Sequence, residues 1–242
     1  MKLLAIDSGN SRIKWGFNEN GQWLERGNIP TAEAYRFGDV VAHLPEPQRI
    51  VAANVAGAAV EKRISDSIAA ARGEPLWIVS RAEQCGVRSS YADPAQLGPD
   101  RWAALIAARH LQPGACVVVN AGTTMTVDVL TADSIFVGGI IVAGYAVMRE
   151  ALSKSTARLG LRDGRFGFFP DNTGDAICSG ALNALAGAVD RIQRYLDDSQ
   201  ADSSHILLSG GDAARLKPLL TDAQVVDNLV LEGLLRIGAS DV

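Results

Sequence analysis

Two short segments of the chain carry residue types suited to holding phosphate. Residues 3–15 read Leu-Leu-Ala-Ile-Asp-Ser-Gly-Asn-Ser-Arg-Ile-Lys-Trp, and residues 116–128 read Cys-Val-Val-Val-Asn-Ala-Gly-Thr-Thr-Met-Thr-Val-Asp. Each passes from an apolar run to Asp or Asn, a small residue, Gly, a polar residue and a hydroxyl residue, and then into alternation. Such a turn aims backbone N–H groups at one point, a concavity that binds phosphate oxygens. Gly9 and Gly122 allow close backbone approach. Ser11 and Thr123 add donor hydroxyls, and Lys14 supplies positive charge. Asp7, at the strand end, is placed to hold a magnesium ion, usually through waters. One such turn is equally well a plain hairpin with favourable turn residues. Two copies in matching positions can grip a triphosphate from both sides.

Other segments carry weaker signals. Ser209-Gly-Gly-Asp212 follows the apolar run Ile206-Leu207-Leu208, an arrangement that admits a flat base or a phosphate, or is simply a tight strand-to-helix turn. Asp100 can complement the positive end of its helix, or accept a proton from a substrate hydroxyl during phosphoryl transfer. Arg101 can clamp a substrate carboxylate, or be a solvated surface charge. Thr173 precedes a long apolar-periodic stretch and reads as its N-cap. Trp15, Trp23, Trp77 and Trp102 read as core residues.

The elements that position these residues follow the same order twice. The first hairpin is followed by a strand (22–28), a helical stretch (31–43), a strand (49–53), a helix (58–72) and a strand (76–79). The second is followed by a strand (134–142), helices (145–155 and 174–196), a strand (205–209), a helix (212–220), a strand near 224–226 and a last helix (228–238). Hairpin-joined strands followed by strand-helix-strand crossovers imply an α/β protein of two duplicated lobes, each a mixed sheet flanked by helices. Between them, Gly98 to Leu111 reads as an Ala-rich helix opened by Pro99 and stopped by Pro113-Gly114. The lobes are expected at 1–113 and 114–242.

Composition narrows the function classes. The chain has 242 residues, 48% hydrophobic and 21% charged, which suits a globular protein with real cores. A formal net charge of -4 argues against a nucleic-acid binder, which needs a basic stripe. No apolar stretch is long enough to span a bilayer, and Asp7 interrupts the N-terminus before a signal-peptide apolar region can form. The expectation is a cytoplasmic protein. Cys85, Cys116 and Cys178 lie far apart and make no metal-like spacing with His43, His110 or His205.

The Asp7 to Lys14 and Gly122 to Asp128 turns resemble the phosphate motifs of the acetate and sugar kinase, Hsp70 and actin superfamily. With Tyr91-Ala-Asp-Pro94, Leu97-Gly-Pro-Asp-Arg101, Gly138-Gly139, Thr173-Gly-Asp-Ala-Ile-Cys-Ser-Gly180 and Ser209-Gly-Gly-Asp212, the pattern is similar to that of the bacterial type III pantothenate kinases, from residue 3 to about 235. The resemblance implies two ribonuclease H-like (actin-like ATPase) lobes and transfer of the ATP γ-phosphate to pantothenate, giving 4'-phosphopantothenate on the way to coenzyme A. It implies that Asp7, Ser8, Gly9, Asn10, Ser11, Arg12, Ile13 and Lys14 bind ATP, with Thr123 answering from the second lobe. Tyr91, Gly98, Pro99, Asp100 and Arg101 would hold pantothenate, Arg101 facing its carboxylate and Asp100 acting as the base. Thr173 would reach pantothenate from the partner subunit of a homodimer. The implied cations are a divalent one, magnesium at Asp7, and a monovalent one, potassium or ammonium.

Three positions depart from the family pattern. Asn120 stands where the family has an Asp that helps hold the monovalent cation, so the oxygen remains without its charge. Ala143-Gly144 replaces Pro-Gly, and Ala-Arg-Leu-Gly at 157–160 replaces a Leu-Pro ending. Two other readings stay open on the sequence: a kinase or ATPase of the same superfamily with another acceptor, and a nucleotide-binding regulator that has lost activity.

Overall fold

The computed structural model describes residues 1–156, 160, 162–199 and 203–240, so most of the 157–160 departure lies outside the described residues. The chain divides into two compact units, Met1–Leu111 with Asn228–Val242, and Gln112–Asp227.

In the first unit, β1 (Lys2–Ser8), β2 (Arg12–Glu19) and β3 (Gln22–Pro30) form an antiparallel meander. A 3-10 turn (Thr31–Arg36) and α1 (Phe37–Val41) lead to β4 (Arg49–Asn54), α2 (Ala58–Arg72) and β5 (Leu76–Trp77). β4 runs parallel to β1, and the sheet order is β3-β2-β1-β4-β5. Leu4, Ile6, Ile13, Phe17, Phe37, Ile64 and Ile68 pack into one core, each such side chain contributing about 1.5–3 kcal/mol by leaving water. The expected helix over 31–43 is broken, because Glu33 leaves helical geometry (φ -97°, ψ 17°).

Two strands were not anticipated. β6 (Glu83–Gln84) and β7 (Val87–Ser89) form a hairpin closed by Cys85 and Gly86 at φ 48° and 77°. Two successive positive φ values are the geometry of a two-residue hairpin turn, here with Cys at a position that usually takes Asn or Asp. α3 (Pro99–Leu111) then follows as expected. Its buried Trp102 donates Nε1–H to Gln84 Oε1 at 2.9 Å, tying the helix to the hairpin.

The second unit repeats the plan. β8 (Cys116–Ala121), β9 (Thr124–Leu130) and β10 (Ile135–Ala143) form the meander, followed by α4 (Tyr145–Ser155), α5 (Thr173–Ser199), β11 (His205–Ser209), α6 (Ala213–Leu216) and β12 (Gln224–Val225). These strands lie in the order β10-β9-β8-β11-β12, with β11 parallel to β8. That matches the first unit strand for strand. Asp7 and Asn120 occupy the same place, the penultimate residue of the first strand, and the neighbouring parallel strand aligns Ser8 with Asn54 and Asn120 with Ser209. Val117, Val119, Met125, Val127, Leu182, Leu185 and Val189 form this unit's core.

The last helix, α7 (Leu229–Ala239), clusters with the first unit, although the second lobe was expected to run to residue 242. The reason is close packing on α3: a Cβ on Gly233 would lie 1.8 Å from the Ala103 carbonyl oxygen. Gly238 likewise sits against Leu3 and Val51.

Candidate active site

The first phosphate-type turn is tightly pinned. Gly9 N–H donates to the Arg12 carbonyl at 3.1 Å, Thr31 Oγ1 donates to the Gly9 carbonyl at 2.7 Å, and Thr31 N–H donates to the Ser11 carbonyl at 3.1 Å. Asn10, Ser11 and Arg12 are exposed, and Arg12 is tied to Asn28 of β3. Ser8 and Ile13 instead point inward: both are fully buried, and the Ser8 hydroxyl has no partner among the described residues. What these two offer at the turn is backbone.

Asp7 pairs in register with Lys14 across the hairpin. Only 9% exposed, its carboxyl is pushed up to about 7, chiefly by burial. Lys14 pulls in the opposite direction, and the nearby Asp100 carboxylate pushes it further up. The first unit therefore brings together Asp7, Lys14 and Asp100, residues from three different elements, β1, β2 and α3.

Asp100 lies in the first turn of α3. Burial raises its pKa, opposed by backbone N–H groups and the Arg101 charge; Arg101 N–H reaches Asp100 Oδ1 at 2.8 Å. Gly98 makes this carboxylate possible, since a Cβ there would sit 2.6 Å from Oδ1. Arg101 is itself buried, not a solvated surface charge. Ser80 Oγ fixes the approach to the helix by donating to the Leu97 carbonyl at 2.8 Å. Tyr91 sits half-buried in the loop after β7, its N–H donating to Ser89 Oγ at 3.3 Å.

In the second unit, Gly122 N–H donates to the Thr124 carbonyl and Gly144 N–H to the Thr123 carbonyl, both at 3.0 Å. Thr123 is exposed at the tip and Asn120 half-buried at its base. Gly144 is required: its Cβ would lie 2.0 Å from the Gly122 carbonyl oxygen. From the other side Gly210, at φ 101°, lies against Ala121, whose carbonyl accepts from Asp212 N–H at 3.1 Å. Gly144 went unassigned in the sequence reading; the Gly directly after a strand that pairs with a glycine turn was the available signal.

Thr173 is not the cap of α5. Asn172 Oδ1 accepts from Asp175 N–H at 3.0 Å and the Asn172 carbonyl from Ala176 N–H at 2.9 Å, so Asn172 is the N-cap. Thr173 is the first helical residue, exposed. Asn54 is a further candidate missed in the sequence: it ends β4 beside Ser8, donating to the Gly57 carbonyl and Glu61 Oε2, each at 3.1 Å.

The arrangement suits a hard cation held partly by substrate. Among the described residues no group of three or more His, Cys, Asp or Glu could hold a metal ion by itself. Two desolvated carboxylates with phosphate oxygens and waters are the donor set magnesium accepts.

The profile of type III pantothenate kinase matches residues 3–195. The chain is 47% identical to a type III pantothenate kinase of Aromatoleum aromaticum over 240 residues, covering 99% of this chain and 98% of the relative. It is 44% identical to one from Nitrosospira multiformis, covering 97% and 90%. The chain belongs to the type III pantothenate kinase family. The resemblance expected from the sequence therefore holds.

Solved structures agree on the fold. A conserved putative Baf family transcriptional activator from Campylobacter jejuni superposes with TM-score 0.61 at 23% identity, covering 97% of this chain and 96% of that one. A ROK family glucokinase from Streptomyces griseus, in complex with glucose and AMPPNP, gives 0.54 at 12% identity, covering 97% and 98%. At these identities the likeness carries the fold alone, the actin-like and ROK sugar kinase fold. Among the described residues no helix is long and apolar enough to cross a membrane.

Proposed function

We propose that this chain transfers the γ-phosphoryl group of ATP to the primary hydroxyl of pantothenate, giving 4'-phosphopantothenate for coenzyme A synthesis in the cytoplasm. The observation that carries the mechanism is the desolvated carboxylate of Asp100, held by its own helix N-terminus in the same site as Asp7 and Lys14. A divalent cation, when bound, would neutralise charge on the transferred group, and Asp7 is the residue to hold it through water. Asp100, deprotonated, accepts the hydroxyl proton as the new P–O bond forms. Its raised affinity for protons suits that role, while the Arg101 N–H keeps the carboxylate oriented. The buried Arg101 pairs with the acceptor carboxylate, and Tyr91, Gly98 and Pro99 line that subsite.

In the first unit the exposed tip of the turn and Lys14 take phosphate; in the second unit Thr123 does. Gly98 and Gly144 serve by leaving space. Asn120 offers a neutral oxygen to potassium or ammonium, a weaker ligand than a carboxylate.

The active form in this reading is a homodimer. An apolar groove of about 970 Å³ lies between α4 and α5, lined by Met148, Leu152, Pro170, Thr173, Ile177 and Ala181 among others. Directly before Pro170 in the chain, Phe168 and Phe169 are 84% and 98% exposed. A second copy supplies a matching knob and groove on the same face. Thr173, freed from capping, lines that groove.

Release of ADP in a coupled assay tests the reaction. Pantothenate should raise it well above the ATP-only rate. Turnover with another hydroxyl acceptor and none with pantothenate would overturn the assignment.

A further inference from the structure

In each unit the residue that follows the third strand holds the glycine turn, and the two units do so differently. Thr31 comes directly after β3 and Gly144 directly after β10. Their backbone N–H groups make the same bond, Thr31 to the Ser11 carbonyl at 3.1 Å and Gly144 to the Thr123 carbonyl at 3.0 Å. Each acceptor is the last residue before the second strand of its unit. The glycine carbonyl separates the two. In the second unit the Gly122 carbonyl oxygen fills the space a Gly144 Cβ would need, 2.0 Å from it. In the first unit a side chain is present instead, and Thr31 Oγ1 donates to the Gly9 carbonyl at 2.7 Å. The first turn is also longer by one residue, with Asn10 and Ser11 between Gly9 and β2 where Thr123 alone separates Gly122 from β9.

A longer turn has more backbone freedom, and only some of its conformations suit an anion. A carbonyl oxygen facing a phosphate repels it, whereas an N–H attracts it. No described peptide bond is cis, and a planar trans unit points its C=O and its N–H in opposite directions. The bond from the Thr31 hydroxyl to the Gly9 carbonyl therefore turns the Asn10 N–H away from Thr31. The bond to the Ser11 carbonyl does the same for the Arg12 N–H. Thr31 is buried while Asn10, Ser11 and Arg12 are exposed, so both carbonyls are drawn to the inner side of the turn. A hydroxyl has a single hydrogen, and that of Thr31 is committed to Gly9. Thr31 aims the turn without touching what the turn binds.

We propose that Thr31 is a positioning residue for the nucleotide phosphates, its hydroxyl holding the Gly9–Asn10 peptide so that the Asn10 N–H faces a phosphate oxygen. This rests on the kinase reading, in which the first turn takes phosphate. The second turn needs no such hydroxyl, being shorter and closed against Gly144.

The test compares the wild-type protein with Thr31→Val, which keeps the shape and the backbone N–H but loses the hydroxyl, and with Thr31→Ser, which keeps the hydroxyl. Thr31→Val should weaken calorimetric binding of a non-hydrolysable ATP analogue, and raise KM for ATP, by roughly 10- to 100-fold, the range for one hydrogen bond to a charged group. KM for pantothenate should stay at the wild-type value, and Thr31→Ser should return KM for ATP to within about threefold of wild type. Wild-type affinity for the analogue in Thr31→Val overturns the proposal, whether or not the melting temperature falls, because the hydroxyl would then be structural. Equal rises in both KM values overturn it too, as does a Thr31→Ser protein no better than Thr31→Val, since methyl packing would then be what matters. The Asn10 amide resonance of the wild-type protein reads the same point without a variant, in case Thr31→Val does not fold. It should move downfield when the analogue binds, and an unmoved resonance in the bound protein overturns the proposal alone. Failure of the wild-type protein to bind the analogue at all would instead sink the kinase reading, and this proposal with it.

Discussion

Asp100 raises the proton affinity of Asp7 although the two carboxylates come from different elements, one ending β1 and one opening α3. Both are desolvated; Lys14 opposes the shift at Asp7 and the Arg101 charge opposes it at Asp100. Two like charges brought out of water side by side make the empty site unfavourable. In the proposed reaction, a divalent cation bound there would relieve that cost.

Asp7→Asn should stabilise the ligand-free protein. Asp7 has its pKa raised from 3.8 to about 7 on folding, so the folded state holds its proton more tightly. Its contribution to stability is then fully present below about pH 4 and is lost as pH rises through 7. Above pH 7 the wild-type protein carries a buried charge that the variant lacks, a difference of up to about 4 kcal/mol. Denaturant melts in chelator should show the two proteins converging near pH 4 and the variant more stable at pH 8. A gap independent of pH would contradict the assignment of that cost to Asp7.

Asp100 titrates above the ordinary carboxylate range, and a base must be deprotonated to act. The acid limb of kcat/KM for pantothenate should therefore fall at higher pH than an unperturbed Asp would give. A profile flat down to pH 4 would contradict it.

Gly98→Ala should lower kcat by roughly tenfold or more with a small loss of stability, because its Cβ would fall 2.6 Å from Asp100 Oδ1 and push that oxygen aside. Steady-state rates with melting curves check this, and unchanged kcat would show that the carboxylate tolerates the shift.

Asn120→Asp should restore a charged ligand for the monovalent cation and shift the potassium titration of activity to lower concentration. Identical titrations for the two proteins would count against a cation at this position.

Much of this was legible because the chain says it twice. A short apolar run, Asp or Asn, Gly and a hydroxyl residue predicted both hairpins, and identical strand order in the two units follows from the same chain of crossovers. The partner of α7 was not legible: its apolar face is evident in Leu231, Leu234 and Leu235, but periodicity does not say which sheet it covers. The β6–β7 hairpin escaped because its turn is Cys85-Gly86 and its strands are two and three residues long. Thr173 read as a cap since both Asn172 and Thr173 suit that role, and only hydrogen-bond geometry chooses Asn172. The inward turn of Ser8 and Ile13 follows from strand alternation, which a motif read as one block conceals.

Asp100→Asn is the most direct test of the account, because it removes the base and keeps the shape. Measured with saturating ATP and pantothenate, kcat should fall by roughly 10²–10⁴ while affinity for an ATP analogue stays at the wild-type value. A variant that turns over pantothenate at the wild-type rate would contradict the account.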